Sequence, residues 1–184
     1  ITSVAKLDVV QEAVAQCSAV KQVLVVGAAG MELPEGFQDY ASACSSFPEL
    51  PIADELLGTS MLYSSGTTGR PKGIIRPLPA QPPAEQLPMF DFLGGLWRYR
   101  EGMIYLSPAP LYHSAPQAAV NLTIRHGGTV IIMERFDPQE YLALIERYQV
   151  THSQLVPTMF SRMLKLPEPQ RQAYDLSSLA TATH

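Results

Sequence analysis

The sequence predicts an α/β protein with mainly parallel sheets and flanking helices. Three observations carry that prediction. From residue 100 onward, short apolar strand patterns alternate with helical ones, the rhythm of strand–helix–strand units with right-handed crossovers. Val23-Leu24-Val25-Val26 is continuously apolar rather than alternating, which suits a parallel strand covered on both faces. The 184 residues are 46% apolar and only 16% charged, against about 25% charged in an average soluble protein. Much of this surface is therefore meant to be buried or covered.

The elements follow in chain order. Lys6 to Cys17 predicts an amphipathic helix, with Val10, Ala13, Val14 and Cys17 on one face. Val23 to Val26 is a strand stopped by Gly27, and Glu32 to Pro51 reads as a surface connection holding one short helix. Ser60 to Tyr63 is a strand, and Ile74-Ile75 starts another that breaks at Pro77. Pro77, Pro79, Pro82, Pro83 and Pro88 then crowd one segment, a density that excludes a helix or a central strand. Met89 to Tyr99 predicts a helix, Met103 to Ser107 a strand, Ser114 to Arg125 a helix and Thr129 to Met133 a strand. Asp137-Pro138-Gln139-Glu140 has the residues of a helix start: a capping Asp, a Pro at the first position and a Glu to complete a capping box. Tyr141, Leu144, Ile145 and Tyr148 line the buried face of that helix. Val150 to Val156 is the next strand, Pro157 to Leu166 the next helix, and no internal repeat is present.

Charge and composition exclude several classes. The 13 basic and 17 acidic residues give a net charge of −4 with no basic block, so nucleic-acid binding has no electrostatic footprint. No run approaches the ~20 apolar residues of a membrane span. Cys17 and Cys44 lack ligand spacing and read as reduced, buried thiols of a cytoplasmic protein, with no metal site. The chain opens ITSVAKLDVV without an initiator Met or a leader pattern and closes on ATATH, so both ends read as cut.

The chemistry concentrates in Ser64-Ser65-Gly66-Thr67-Thr68-Gly69-Arg70-Pro71-Lys72-Gly73. Glycines let backbone N–H groups approach a ligand, and clustered N–H and hydroxyl donors make a concave surface for phosphate oxygens. Lys72 adds a point charge for terminal phosphates. An ordinary Gly/Ser/Thr turn has the same composition. The P-loop pattern G-x-x-x-x-G-K-[ST] fails, because Gly69 is followed by Arg70-Pro71-Lys72 and Lys72 by Gly73.

Tyr63 to Gly73 resembles the signature loop of the adenylate-forming (AMP-binding) superfamily, Tyr-Thr-Ser-Gly-Thr-Thr-Gly-x-Pro-Lys-Gly, with Ser64 in place of Thr. Pro110-Leu111-Tyr112-His113 resembles the family's Pro-Leu-Phe-His segment. Gly127-Gly128-Thr129-Val130, Arg135-Phe136-Asp137-Pro138 and Val156-Pro157-Thr158 follow in the family's order, and the whole looks most like a bacterial fatty-acyl-CoA synthetase. Two stretches depart from it. Ser114-Ala115-Pro116 replaces a usual glycine, and Ile74-Ile75-Arg76-Pro77 with the proline-rich loop replaces a Thr-His or Ser-His segment.

The resemblance implies a ligase that activates a carboxylic acid with ATP and Mg²⁺ to an acyl adenylate, then transfers it to coenzyme A. It implies that Ser64, Ser65, Gly66, Thr67, Thr68, Gly69 and Lys72 hold the ATP phosphates. It also implies that His113 stands beside the carboxylate and the α-phosphate, with Lys72 and His113 the catalytic pair. Tyr112 lines the acyl tunnel or serves as a core aromatic, and His152 reads as structural. A fatty acid is favoured by resemblance, while aromatic, bile-type and short-chain acids stay open. The implied layout is 1–76 as the end of a first subdomain with the phosphate loop, 77–99 as a proline-rich loop and helix, and 100–184 as the start of a second α/β subdomain. The adenine-contacting segment, the Mg²⁺ ligand and the C-terminal lysine domain are expected elsewhere in the same polypeptide, so this chain alone is expected to be inactive. A non-catalytic nucleotide-binding module and an interaction domain with an inert loop are the competing readings.

Overall fold

The computed structural model describes residues 1–184 except Ser65, Gly66, Thr67, Thr68, Arg70 and Gln86, and except the side chain of Ser64. Contacts group the chain into two units, Ile1–Glu55 and Leu56–His184.

In the first unit, β1 (Thr2–Ser3), β2 (Val23–Val26) and β3 (Phe37–Asp39) form a parallel sheet in that order. A 3₁₀ turn (Val4–Lys6) leads into α1 (Leu7–Ala15). Val4, Leu7, Val10 and Val14 pack on Val23, Val25 and Ala28, as helical spacing requires. Burial alternates along β2: Val23 and Val25 are buried, Leu24 is half-buried and Val26 is exposed. Cover on both faces, expected from the apolar run, is thus met on one face.

The 32–51 stretch holds more structure than expected. Phe37 joins the core and pairs in register with Val23, which creates β3. Asp39 ends that strand and caps α2 (Tyr40–Ser45), its Oδ2 accepting from Ser42 N at 2.8 Å. Cys17 and Cys44 are free and exposed, which corrects the expectation that they are buried. α1 stops two residues before Cys17, and on α2 the buried position is Ala43.

In the second unit, β4 (Leu62–Ser64) and β5 (Lys72–Ile74) form an antiparallel pair. The connection is too short for a parallel crossover, which needs a dozen or more residues. After the irregular proline-rich segment comes α3 (Pro88–Leu96). The main sheet has the order β7-β6-β8-β9 with every pairing parallel. Its strands are β6 (Ile104–Ser107), β7 (Thr129–Ile132), β8 (His152–Gln154) and β9 (Thr181–Thr183). The connecting helices are α4 (Ser114–Arg125), α5 (Pro138–Tyr148), α6 (Pro157–Leu164) and α7 (Glu168–Arg171).

α4 coincides with the predicted span, and α5 begins at its predicted cap. Asp137 Oδ1 accepts from Gln139 N and Glu140 N, each at 2.9 Å, and Pro138 takes the first helical position. The buried face of α5 is Tyr141, Leu142 and Ile145, with Leu144 partly buried. Tyr148, predicted inside, is 40% exposed. It stands in the last turn, just before the left-handed Gln149 (φ 52°) turns the chain away. The core beneath α5 centres on Leu106, Ile145, Val150 and Leu155.

Two local features fix the sheet against its helices. Gly128, between α4 and β7, sits where a Cβ would lie 2.7 Å from Met103 Cγ, 2.8 Å from Thr123 Cγ2 and 3.0 Å from the Met103 carbonyl. His152 is 1% exposed. Its Nε2 donates to the Arg98 carbonyl at 3.2 Å, its Nδ1 lies 2.7 Å from Thr151 Oγ1, and its ring meets Tyr99 at 5.6 Å. These contacts make it a structural residue that pins the chain after α3 to β8.

Two predictions follow from this packing. Gly128→Ala is expected to cost about 1–3 kcal/mol, the usual penalty of overpacking; a denaturation midpoint equal to wild type would refute the steric reading. Burial holds the His152 imidazole below its ordinary 6.5, the Arg98 and Trp97 carbonyls oppose that shift, and the Arg100 charge adds to it. The unfolded chain then binds the proton more readily. The contribution of neutral His152 is therefore full above pH 6.5 and drains away as pH falls below it. Tm measured from pH 8 to 5 should fall more steeply for wild type than for His152→Asn, and equal slopes would contradict this.

Candidate phosphate loop and carboxylate site

The glycine- and hydroxyl-rich loop stands on the β4–β5 hairpin. Its register pairs Leu62 with Ile74, Tyr63 with Gly73 and Ser64 with Lys72. The ladder therefore sets Lys72 opposite Ser64 at the base of the loop, and both ends of the signature are held together by backbone pairing. Lys72 is exposed, free to meet an anion. Gly69 has φ 82°, a left-handed conformation that favours glycine. Glycine at 73 leaves room for Tyr63, whose ring lies 3.3 Å from the position a Cβ would take. Ser65, Gly66, Thr67 and Thr68, expected as phosphate donors, lie outside the described residues, as does the Ser64 side chain.

The second motif lies beyond the carboxyl end of β6. Pro108 to Pro110 leaves the strand, and His113 N donates to the Pro110 carbonyl at 3.2 Å, closing a turn. His113 occupies the N-cap position of α4 with extended backbone (φ −83°, ψ 144°) and no side-chain capping bond. Its carbonyl accepts from Gln117 N at 3.2 Å, the first bond of the helix. The imidazole thus makes no capping bond to α4, and its ring lies 4.4 Å from that of Tyr112. Tyr112 is 83% exposed, so it is not a core aromatic. Ser114-Ala115-Pro116 forms the first turn of α4, where proline's missing N–H costs no helical bond. The departure from the usual glycine is therefore absorbed as helix.

The sheet order explains why this end matters. β6 comes first in the chain, yet β7 lies on one side of it and β8 on the other. In such sheets ligands gather outside the carboxyl ends where the order reverses. The loops after β6 and β8 meet that criterion, one carrying Tyr112 and His113, the other Val156, Pro157 and Thr158. Sequence reasoning missed Ser107 and Gln154, the last residues of β6 and β8. Ser107 Oγ and Gln154 Oε1 are buried with no hydrogen-bond partner among the described residues. The available signal was a polar residue closing each of two buried parallel strands. Behind them, burial pushes the Tyr105 hydroxyl up and the Tyr141 hydroxyl up to about 12, so both stay neutral.

Among the described residues, no group of three or more His, Cys, Asp or Glu side chains could hold a metal ion. A groove of about 570 Å³ beside β7 and α5, lined by residues such as Ile132, Arg135 and Tyr148, contains none of the expected site residues. Among the described residues, no helix is long and apolar enough to cross a membrane.

The family model for AMP-binding enzymes matches residues 1–183, and the chain belongs to that family. It is 29% identical to the medium/long-chain-fatty-acid–CoA ligase FadD8 of Mycobacterium tuberculosis, over 90% of this chain and 28% of that protein. It is 32% identical to acyl-CoA synthetase 7 of Caenorhabditis elegans, over 96% of this chain and 34% of the relative. The chain thus spans about a third of the length of these curated relatives. ATP-bound MatB from Rhodopseudomonas palustris shares the fold, with a TM-score of 0.67 at 24% identity over 98% of this chain and 33% of that one.

Because Tyr112 is exposed and shares its ring contact only with a neighbour in sequence, Tyr112→Ala is expected to leave unfolding free energy within about 0.5 kcal/mol of wild type. A chemical denaturation curve checks this, and a loss above about 2 kcal/mol would restore Tyr112 to the core.

Proposed function

We propose that the polypeptide containing this chain is an acid–thiol ligase. It activates a carboxylic acid, with a fatty acid favoured, by forming an acyl adenylate with ATP, and it passes the acyl group to coenzyme A. The observation that carries this reading is the eleven-residue signature Tyr63 to Gly73 held on the β4–β5 hairpin, with Lys72 at its base. Relatives named as fatty-acid and 4-coumarate CoA ligases support the class.

In the first step a carboxylate oxygen attacks the α-phosphorus and the bond to the bridging oxygen breaks. The electron pair leaves with pyrophosphate. Little covalent work falls to the protein, so positioning and charge stabilisation supply the catalysis. Lys72, with donors from Ser64, Ser65, Gly66, Thr67, Thr68 and Gly69, holds the departing phosphates. His113 stands at the head of α4 without a capping bond from its side chain and orients the carboxylate. Tyr112 lines the entry of the acyl chain. In the second step the thiol sulfur attacks the acyl carbon, AMP leaves and the thiol proton passes to solvent.

Mg²⁺ is commonly held by one or two carboxylates together with substrate phosphates, and it would supply positive charge to the departing phosphates. Its ligands, the adenine contacts and the rest of the machinery belong to other parts of the polypeptide, so this chain alone forms no adenylate. The free thiols support a cytoplasmic setting.

The test is a panel of carboxylic acids with the full-length protein, scored for acid-dependent AMP and thioester. Lys72→Ala should reduce AMP formation by about 10²–10³-fold with the fold retained, the usual cost of losing one charge-stabilising group. ATP binding without any acid-dependent AMP would favour a nucleotide-binding module instead.

A further inference from the structure

The proline-rich segment after β5 replaces the family's usual path, and it is held in a defined way. Pro82 and Pro83 have no N–H, so this stretch cannot build a backbone ladder and its carbonyls need outside donors. Arg125, in the last turn of α4, supplies them. Its Nη2 donates to the Pro83 carbonyl at 2.8 Å and to the Glu85 carbonyl at 3.1 Å. Glu85 N donates to the Pro82 carbonyl at 3.1 Å, so the two acceptors belong to one turn. Gln81 Nε2 donates to the same Glu85 carbonyl at 3.2 Å. The Gln81 carbonyl in turn accepts from Leu57 N at 2.8 Å.

Leu57 lies five residues before β4, and Gln81 lies seven residues after β5. The irregular segments that enter and leave the hairpin are therefore joined by one backbone hydrogen bond, next to the turn that Arg125 grips. α4 is the helix that His113 heads. One guanidinium thus ties the base of the hairpin to the far end of that helix. Both bonds come from one terminal nitrogen of the guanidinium, whose two N–H groups serve two neighbouring carbonyls.

We propose that Arg125 is a positioning residue for ATP: it fixes the phosphate-loop hairpin to α4 through the 81–85 turn. The inference rests on reading the hairpin as the phosphate loop. Arg125 touches no reacting atom. Its effect passes through Gln81 and Leu57 to the base of the loop, so it governs ATP affinity rather than the chemical step or acid binding.

The experiment uses the full-length protein and measures ATP affinity by calorimetry, the KM for ATP and for the acid, and amide hydrogen exchange at Leu57. Arg125→Ala should weaken ATP binding about tenfold, with kcat and the KM for the acid within about twofold, the order expected for losing a charge-assisted hydrogen bond. Arg125→Lys should fall between Arg125→Ala and wild type. Exchange at Leu57 should quicken in Arg125→Ala. Gln81→Ala leaves α4 untouched and should weaken ATP binding in the same direction, which keeps the test valid if Arg125→Ala folds poorly. ATP affinity within twofold of wild type in both variants, or a parallel rise of both KM values with a lower Tm, overturns the proposal. Lys72→Ala, run alongside, separates the two ideas. If it leaves ATP affinity unchanged, the phosphate-loop reading falls. If it weakens ATP and the clamp variants do not, only the role of Arg125 falls.

Discussion

Strand β6 is hydrogen-bonded on both edges, to β7 on one side and β8 on the other. A strand paired on both edges lies inside the sheet. Tyr105, Leu106 and Ser107 are accordingly buried almost completely. The rest of the second unit is arranged around that constraint. The chain leaves β6, runs through α4 to one neighbour, and returns through α5 to the other. The loops after β6 and β8 are thereby set side by side, and His113 sits in one of them, where the Pro110 turn meets the start of α4.

The hairpin solves a different problem. A loop rich in glycine and hydroxyl residues has little to fold around, because its sequence offers little apolar surface. Its two ends are instead joined by three cross-strand pairs, and the register places Lys72 against Ser64. Farther from the loop, hydrogen bonds rather than packing do the work. The proline-rich stretch is one of those places, and its carbonyls are met by Gln81, Leu57 and Arg125.

Some of this was legible in the sequence because the signals were local. Asp137-Pro138 marks the start of α5, and the signature between Tyr63 and Gly73 marks the loop, whatever the surroundings. Other elements have no such signal. β9 is Thr181-Ala182-Thr183, residues that form a strand because His152, Ser153 and Gln154 lie alongside to pair with them. β3 depends in the same way on one anchoring phenylalanine. The cysteines were read from average burial, but the ends of α1 and the orientation of α2 decide their exposure. His152 reads as structural in the sequence, and the Arg98 carbonyl and the Tyr99 ring beside it supply the reason. Ser107 and Gln154 show the same limit: strand ends matter only after the strand order is known.

Gly128 gives the helix that carries His113 its closeness to the sheet. The space a Cβ would fill is already taken by Met103 and Thr123, one on the strand side and the other on α4. α4 is twelve residues long, about 18 Å at the usual rise, and behaves as a rigid rod. A rod seated at one end transmits any change of seating to its other end. The height of His113 above the sheet is thus tied, through the length of α4, to the close packing that glycine permits at residue 128.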